Sequence, residues 1–256
     1  MIEKMPVLFV GHGSPMNALE DNEFTRAWTD AGRALPKPRA IVCVSAHWVT
    51  RGTLVTAMDQ PRMIYDMYGF PRELYEVKYP APGSPDLAEQ IRRIIKKTDV
   101  QMDHEWGLDH GTWSVLKRMF PDATVPVIQM SLNANLQVPD HYAVAKQLKE
   151  LREEGVLIIS SGNIVHNLSL VQFGDFAYDW AVDFDGQVKD WILKDEHDPL
   201  INFDKQGQAA QLAINTAEHY VPLLYSLALK EEGEAVSFFA EKVWGGSVSM
   251  RSVRIG

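Results

Sequence analysis

Val7-Leu8-Phe9-Val10-Gly11-His12-Gly13-Ser14-Pro15 is an apolar run that stops on a glycine-flanked histidine. The pattern returns in Ile41-Val42-Cys43-Val44-Ser45-Ala46-His47-Trp48. It appears again in Leu157-Ile158-Ile159-Ser160-Ser161-Gly162-Asn163, with His166 three residues further on. Short runs rich in β-branched residues, bounded by glycine or polar residues, read as buried strands. Five such strands are expected: Pro6 to Val10, Ala40 to Ala46, Thr53 to Met58, Val125 to Leu132 and Val156 to Ser160.

Helical patterns lie between the strands. Asp86 to Lys97 carries Leu87, Ile91, Ile94 and Ile95 on one stripe, with acids in its first turn and bases in its last. Asp140 to Glu153 follows Pro139 at helical spacing. Gln208 to Leu229 is a third helical stretch, which Pro222 should kink or divide. A short helix is expected near Val188 to Leu193, inside the acidic and aromatic stretch Phe173 to Asp204. Met58 to Pro85 holds too many prolines for a helix or a central strand, and reads as an aromatic excursion over one end of the sheet. At the C-terminus, Ala235 to Trp244 and Ser247 to Ile255 read as strands joined by a tight turn at Gly245-Gly246. These features predict an α/β fold: one domain spanning residues 1–256, a largely parallel central sheet flanked by helices, and a C-terminal β-hairpin.

Composition narrows the function. The 256 residues are 46% apolar, enough for a full core, and carry 25 basic against 34 acidic side chains for a net charge of −9. Such a surface offers nothing to nucleic acid or an anionic membrane. The single cysteine, Cys43, lies in an apolar run and reads as an inert core thiol. The first residues lack the features of a signal peptide, and no apolar stretch is long enough for a membrane span. A cytoplasmic protein is expected.

The histidines carry the chemistry. His12, His47 and His166 each follow a strand at its carboxyl end, the edge where open α/β sheets build their sites. Gly11 and Gly13 are expected to turn the backbone sharply around His12, and Gly162 to do so before His166. His110 follows Asp109, a plausible helix cap. His219 reads alone as a half-buried helical residue. His104, His141 and His197 read as surface groups. Imidazoles converging on one pocket suit a borderline divalent ion such as Zn²⁺, Fe²⁺, Mn²⁺ or Ni²⁺. Two histidines four apart on a helix, a cysteine pair, a Ca²⁺ loop, a phosphate loop and a serine-hydrolase elbow are all missing. Trp48, Tyr65, Tyr68 and Phe70 are candidate walls for an aromatic ligand.

Six motifs together, namely Gly11-His12-Gly13-Ser14-Pro15, Ser45-Ala46-His47-Trp48, Leu108-Asp109-His110-Gly111, Gly162-Asn163-Ile164-Val165-His166-Asn167, Glu218-His219 and Gly246-Ser247-Val248-Ser249-Met250-Arg251, resemble class III extradiol ring-cleavage dioxygenases. The resemblance is strongest to their 4,5-DOPA extradiol dioxygenase branch. It implies one divalent metal per chain, normally Fe²⁺, with a small catechol and O₂ as substrates. On that resemblance His12, His47 and His219 match ligands. His166 matches the acid–base catalyst and stands close enough to be a fourth metal contact, while His110 matches a second histidine that hydrogen-bonds substrate or oxygen. Protocatechuate-cleaving relatives use two histidines and a carboxylate. Here the residue that matches the third ligand is His219, with Glu218 only adjacent. An all-histidine set suits Zn²⁺, the ion expected in unsupplemented protein, whereas dioxygenase activity requires Fe²⁺. The competing functions are a Zn²⁺ hydrolase using metal-bound hydroxide with His166 as base, and a binding protein without turnover.

Overall fold

Alternating side chains give every central strand two buried faces, and that fixes the layering. In the computed structural model, which describes residues 3–172 and 174–256, the strands are β1 (Val7–Gly11), β2 (Ala40–Thr50), β3 (Thr53–Thr56), β4 (Val100–Asp103), β5 (Val127–Asn133), β6 (Val156–Gly162), β7 (Val236–Phe239), β8 (Val243–Trp244), β9 (Val248–Ser249) and β10 (Ser252–Ile255). Among the described residues, eight strands form one sheet in the order β4-β3-β5-β2-β6-β1-β10-β7. The central four, β5-β2-β6-β1, are mutually parallel. Val7 and Phe9 point into one core, and Leu8 and Val10 into the other, as period-two alternation requires. Both faces are covered, which explains why these strands read as continuous apolar runs.

Several element boundaries differ from the sequence reading, each for a local reason. The helix expected over Asp86 to Lys97 runs Pro85–Ile94, capped by Ser84, whose hydroxyl accepts from the Leu87 N–H. Gln147 ends it by accepting the N–H groups of Lys96 and Lys97 on its side-chain oxygen. Asp140 to Glu153 divides into Val138–Lys146 and Glu150–Glu153. The short helix near Val188 is in fact Asp179–Leu193, 15 residues long. Its aspartates and Gly186 are poor helix formers, so propensity understated it. Buried Asp185 is held there by the Arg251 guanidinium and the Ser249 hydroxyl. Phe173, at the head of that acidic stretch, lies outside the described residues.

The stretch Gln208 to Leu229 does divide, and the break matters. Gln208–Ala213 and Val221–Leu227 are helices, and between them Ala217–His219 forms one turn of 3₁₀ helix. Pro222 sits in the first turn of the second helix, where its missing N–H costs nothing. His219 is therefore on an irregular turn, not on a helix face.

The C-terminal hairpin is present with interrupted arms. β8 and β9 pair around Gly245 and Gly246, which have φ of 58° and 84°. The same ribbon resumes as β7 against β10, where Ser252 faces Phe239. Ala240, at φ 55°, absorbs the break between the two pieces. β10 then joins the main sheet antiparallel to β1. Cys43 is buried, and burial pushes its thiol up to about 12, consistent with an inert group. No helix among the described residues is long and apolar enough to cross a membrane.

Candidate active site

Three parallel strands deliver histidines to one edge of the sheet. His12 follows β1, and His166 lies four residues beyond β6. His47 is inside β2, where the register against β5 shifts between Val44 and Val49. This bulge re-aims the chain at His47, as bulges beside active sites commonly do. His110 opens the helix His110–Met119, capped by Asp109 as expected. The turn carrying His219 is pinned to the same edge, because the Asn163 N–H donates to the His219 carbonyl at 2.8 Å. His166 is anchored through its own N–H on the Ala213 carbonyl at 2.9 Å.

The glycines act in two ways. Gly13 has a φ of 57°, the turn expected after His12. Gly162 does not turn: it ends β6 in extended backbone, and a Cβ there would stand 2.1 Å from the His219 carbonyl oxygen. That oxygen is backbone and cannot swing aside. Gly162→Ala should therefore cost about 1–3 kcal/mol of stability, typical of overpacking. It should also weaken metal binding by displacing His219, as read by denaturant unfolding and metal content. A fully loaded variant of unchanged stability would show that the turn yields freely.

Five imidazoles converge. Nε2 of His12 and Nε2 of His47 are 3.0 Å apart. The His47 and His110 rings have centroids 3.8 Å apart, and the His219 ring is 4.9 Å from His47 and 5.4 Å from His12. His166 stacks on His219 with centroids 3.5 Å apart and planes 7° from parallel. His12, His47 and His110 each offer a nitrogen within 4.8 Å of the others'. His110 thus belongs to the tightest trio, which the sequence reading did not give it.

Hydrogen bonds fix which nitrogen faces inward. The Ser161 hydroxyl donates to the Gly111 carbonyl at 2.6 Å, so it must accept from Nδ1–H of His12 at 2.9 Å. Nε2 of His12 is then left without a proton. Glu218 faces Nδ1 of His219 at 3.4 Å, while Nε2 of His219 is buried with no hydrogen-bond partner. Burial first, and then the neighbouring imidazoles, hold His12 and His219 well below the usual histidine range. Burial also lowers His47 to about 3 and His166 to about 4. These rings are neutral at pH 7 and present lone pairs.

Asp66, unmarked in the sequence, contacts two of these histidines. Its carboxylate accepts from the backbone N–H and from Nδ1 of His110, both at 2.9 Å, and lies 3.4 Å from Nδ1 of His47. Burial works to raise its pKa, but the hydrogen bonds and charge of His110 outweigh that and hold it below the usual value. Buried Asp109 is raised to about 6 by burial and the Asp66 charge, against the hydroxyl of Ser45 and the amide of Gln129, which donate to it.

The cleft in front of the five rings has a volume of 430 Å³, within the range of small-molecule sites. Tyr68 and Phe70 line it, as expected, together with Met67, Leu168, Val171 and Trp244. Trp48 and Tyr65 do not. Trp48 is buried and stacks on Trp106, since His47 facing the cleft turns its neighbour away. Tyr65 packs on Trp113, with its hydroxyl donating to the Val77 carbonyl. His104 is exposed as expected. His141 is buried instead, in contact with the Tyr225 hydroxyl at 3.0 Å and lowered to about 4 by burial. His197 is half-buried against the Tyr142 hydroxyl.

The donor set fits a divalent ion. Two nitrogens 3.0 Å apart are a separation that ligands each about 2.0–2.1 Å from one ion can span. An orphaned buried Nε2 in neutral His219 wants a Lewis acid. The Ser161 and Glu218 contacts on the far nitrogens are the supports that metal-binding histidines usually have.

Residues 6–244 match the family model described as the catalytic LigB subunit of aromatic ring-opening dioxygenase. The chain is 47% identical to the 4,5-DOPA dioxygenase extradiol of Escherichia coli strain K12, over 99% of this chain and 95% of that protein. It is 33% identical to the protein of the same name from Beta vulgaris, over 96% and 94%. A crystal structure of an uncharacterized protein from Escherichia coli K12 superposes with a TM-score of 0.86 at 43% identity, covering 98% of this chain and all of that one.

Proposed function

This chain belongs to the LigB family of aromatic ring-opening dioxygenases, and from that premise we propose that it opens a small, DOPA-like catechol beside its diol, with O₂ as co-substrate. The observation that carries the reading is the orphaned Nε2 of His219, on a ring whose centroid is 5.4 Å from that of His12, with both residues lining a ring-sized cleft. We assign the metal to His12, His47 and His219. Bound there, a divalent ion would acidify a catechol hydroxyl and, as Fe²⁺ but not Zn²⁺, relay electrons between catechol and O₂.

The chain's own groups do the rest. His166 lines the cleft, and among the described residues its ring nitrogens have no hydrogen-bond partner. Neutral at pH 7, it is placed to take the proton of the second catechol hydroxyl and later return it. His110 presents its Nε2 for a hydrogen bond to the substrate. Met67, Leu168, Val171 and Trp244 offer apolar surface to the ring. The family and its named relatives are ring-opening enzymes, so the Zn²⁺ hydrolase reading is not favoured.

Oxygen uptake after anaerobic Fe²⁺ reconstitution tests the proposal. The Fe²⁺ form should consume O₂ with DOPA or a related catechol and yield a yellow ring-opened semialdehyde, while the Zn²⁺ form stays inert. An Fe²⁺ form that ignores a broad catechol panel yet hydrolyses amides or esters would establish the hydrolase instead.

A further inference from the structure

We propose that Asp66 is a positioning residue that fixes His110 as its Nδ1–H tautomer and so turns the bare Nε2 of that ring into the cleft. Oδ1 of Asp66 accepts the backbone N–H of His110 at 2.9 Å, and Oδ2 faces its Nδ1 at 2.9 Å. A carboxylate only accepts, so Nδ1 carries the proton, and the Nε2 of a neutral ring then has none. The same Oδ2 lies 3.4 Å from Nδ1 of His47, farther than from His110, so His110 is its principal partner. The Asp66 side chain is 14% exposed, so water competes little for these contacts.

The backbone explains how a carboxylate from a proline-rich segment reaches this point. Ile64 donates to the Leu108 carbonyl at 2.7 Å, and Leu108 donates to the Arg62 carbonyl at 2.8 Å. Nε1 of Trp113 donates to the Ile64 carbonyl at 3.0 Å. These three bonds staple the chain ahead of Asp66 to the start of the helix His110–Met119. Oδ1 then meets the positive end of that helix, a favourable place for an anion. The excursion between Met58 and Pro85 thus supplies three cleft walls, Met67, Tyr68 and Phe70, and also the group that orients a site histidine.

Tautomer matters because the two forms do opposite things. A bare Nε2 accepts a hydrogen bond from a catechol hydroxyl or ligates an ion; an Nε2–H can only donate. Asp66→Asn separates this role from mere shape. The amide is isosteric, but satisfying the backbone N–H with its oxygen sets its NH₂ against Nδ1 of His110. The ring must then move its proton to Nε2. The same change at the orienting aspartate of a Ser-His-Asp triad keeps the geometry and costs roughly 10⁴-fold through the wrong tautomer. Here the histidine is not the base, so a loss of about 10–100-fold is expected, typical of groups that orient site histidines.

Imidazole ¹⁵N spectra of the Zn²⁺-loaded protein, assigned against His110→Gln, should show His110 protonated on Nδ1 in the native chain and on Nε2 in Asp66→Asn. Turnover of Fe²⁺-loaded Asp66→Asn should fall at least as far as that of Asp66→Ala, with metal content kept. The proposal is overturned if native His110 carries its proton on Nε2. It is equally overturned if Asp66→Asn turns over normally while Asp66→Ala is dead, since shape alone would then suffice. The activity arm rests on the ring-opening reading, whereas the spectra do not. A native chain that consumes no O₂ but shows the tautomer change would sink that reading and leave this one standing.

Discussion

Protein with both His12 and His47 replaced by alanine should purify without its divalent ion and consume no O₂ after Fe²⁺ reconstitution. These two residues supply the closest pair of nitrogens in the cleft, 3.0 Å apart. Removing groups that merely orient a ligand already costs about 10–100-fold in metal affinity or activity. Removing two of three ligands leaves His219 alone, too little to hold an ion at stoichiometric occupancy. The variant should nevertheless fold. In the metal-free state the inward nitrogens of His12 and His47 share a site that a single proton can satisfy, and burial keeps both rings neutral. Taking them away relieves crowding, while the Ser161 hydroxyl keeps its bond to Gly111. Elemental analysis beside a thermal melt reads both expectations. Stoichiometric metal in a folded double variant would remove the basis of the assignment.

That the site was legible at all follows from strand chemistry. Buried parallel strands read as unbroken apolar runs, and His12, His47 and His166 mark where each run ends. The same cue placed the three on one sheet edge without any knowledge of strand order. His219 was harder, because its irregular turn lies inside a stretch of helical periodicity. Only Pro222 hinted at a break, which falls before the proline and not at it. Asp66 gave no signal, since hydrogen bonds across 44 residues leave no periodicity in a proline-rich segment. Side-chain direction is equally hidden in the bulge at the end of β2, which turns Trp48 away from the cleft, and in the proline-rich excursion, where Tyr65 packs on Trp113 while Met67, Leu168 and Trp244 line the cleft instead. His141 illustrates the converse. Its charged neighbours suggested a surface position, yet Tyr225, 84 residues away, meets it in the core.

His166→Gln should keep its metal, still bind catechol, and lose turnover by about 10²–10⁴-fold, the usual cost of losing a general base. The expectation follows from where His166 stands relative to the other four rings. His12, His47 and His110 form the tight nitrogen trio, and Nε2 of His219 is buried without a partner. His166 instead lies face to face with His219, partly exposed in the cleft wall and anchored by its backbone N–H. Such a ring can exchange protons with a bound ligand and with solvent without giving up a structural bond. Glutamine fills similar space and can still hydrogen-bond, but it cannot take up a proton near neutral pH. A ligand role predicts the opposite pattern, with metal content falling in step with activity. His219→Gln is the matched control, expected to emerge depleted of metal because nothing else satisfies that position. Metal content, anaerobic catechol affinity and oxygen uptake measured on both variants decide the matter. If His166→Gln is metal-free while His219→Gln stays loaded, the two roles are reversed.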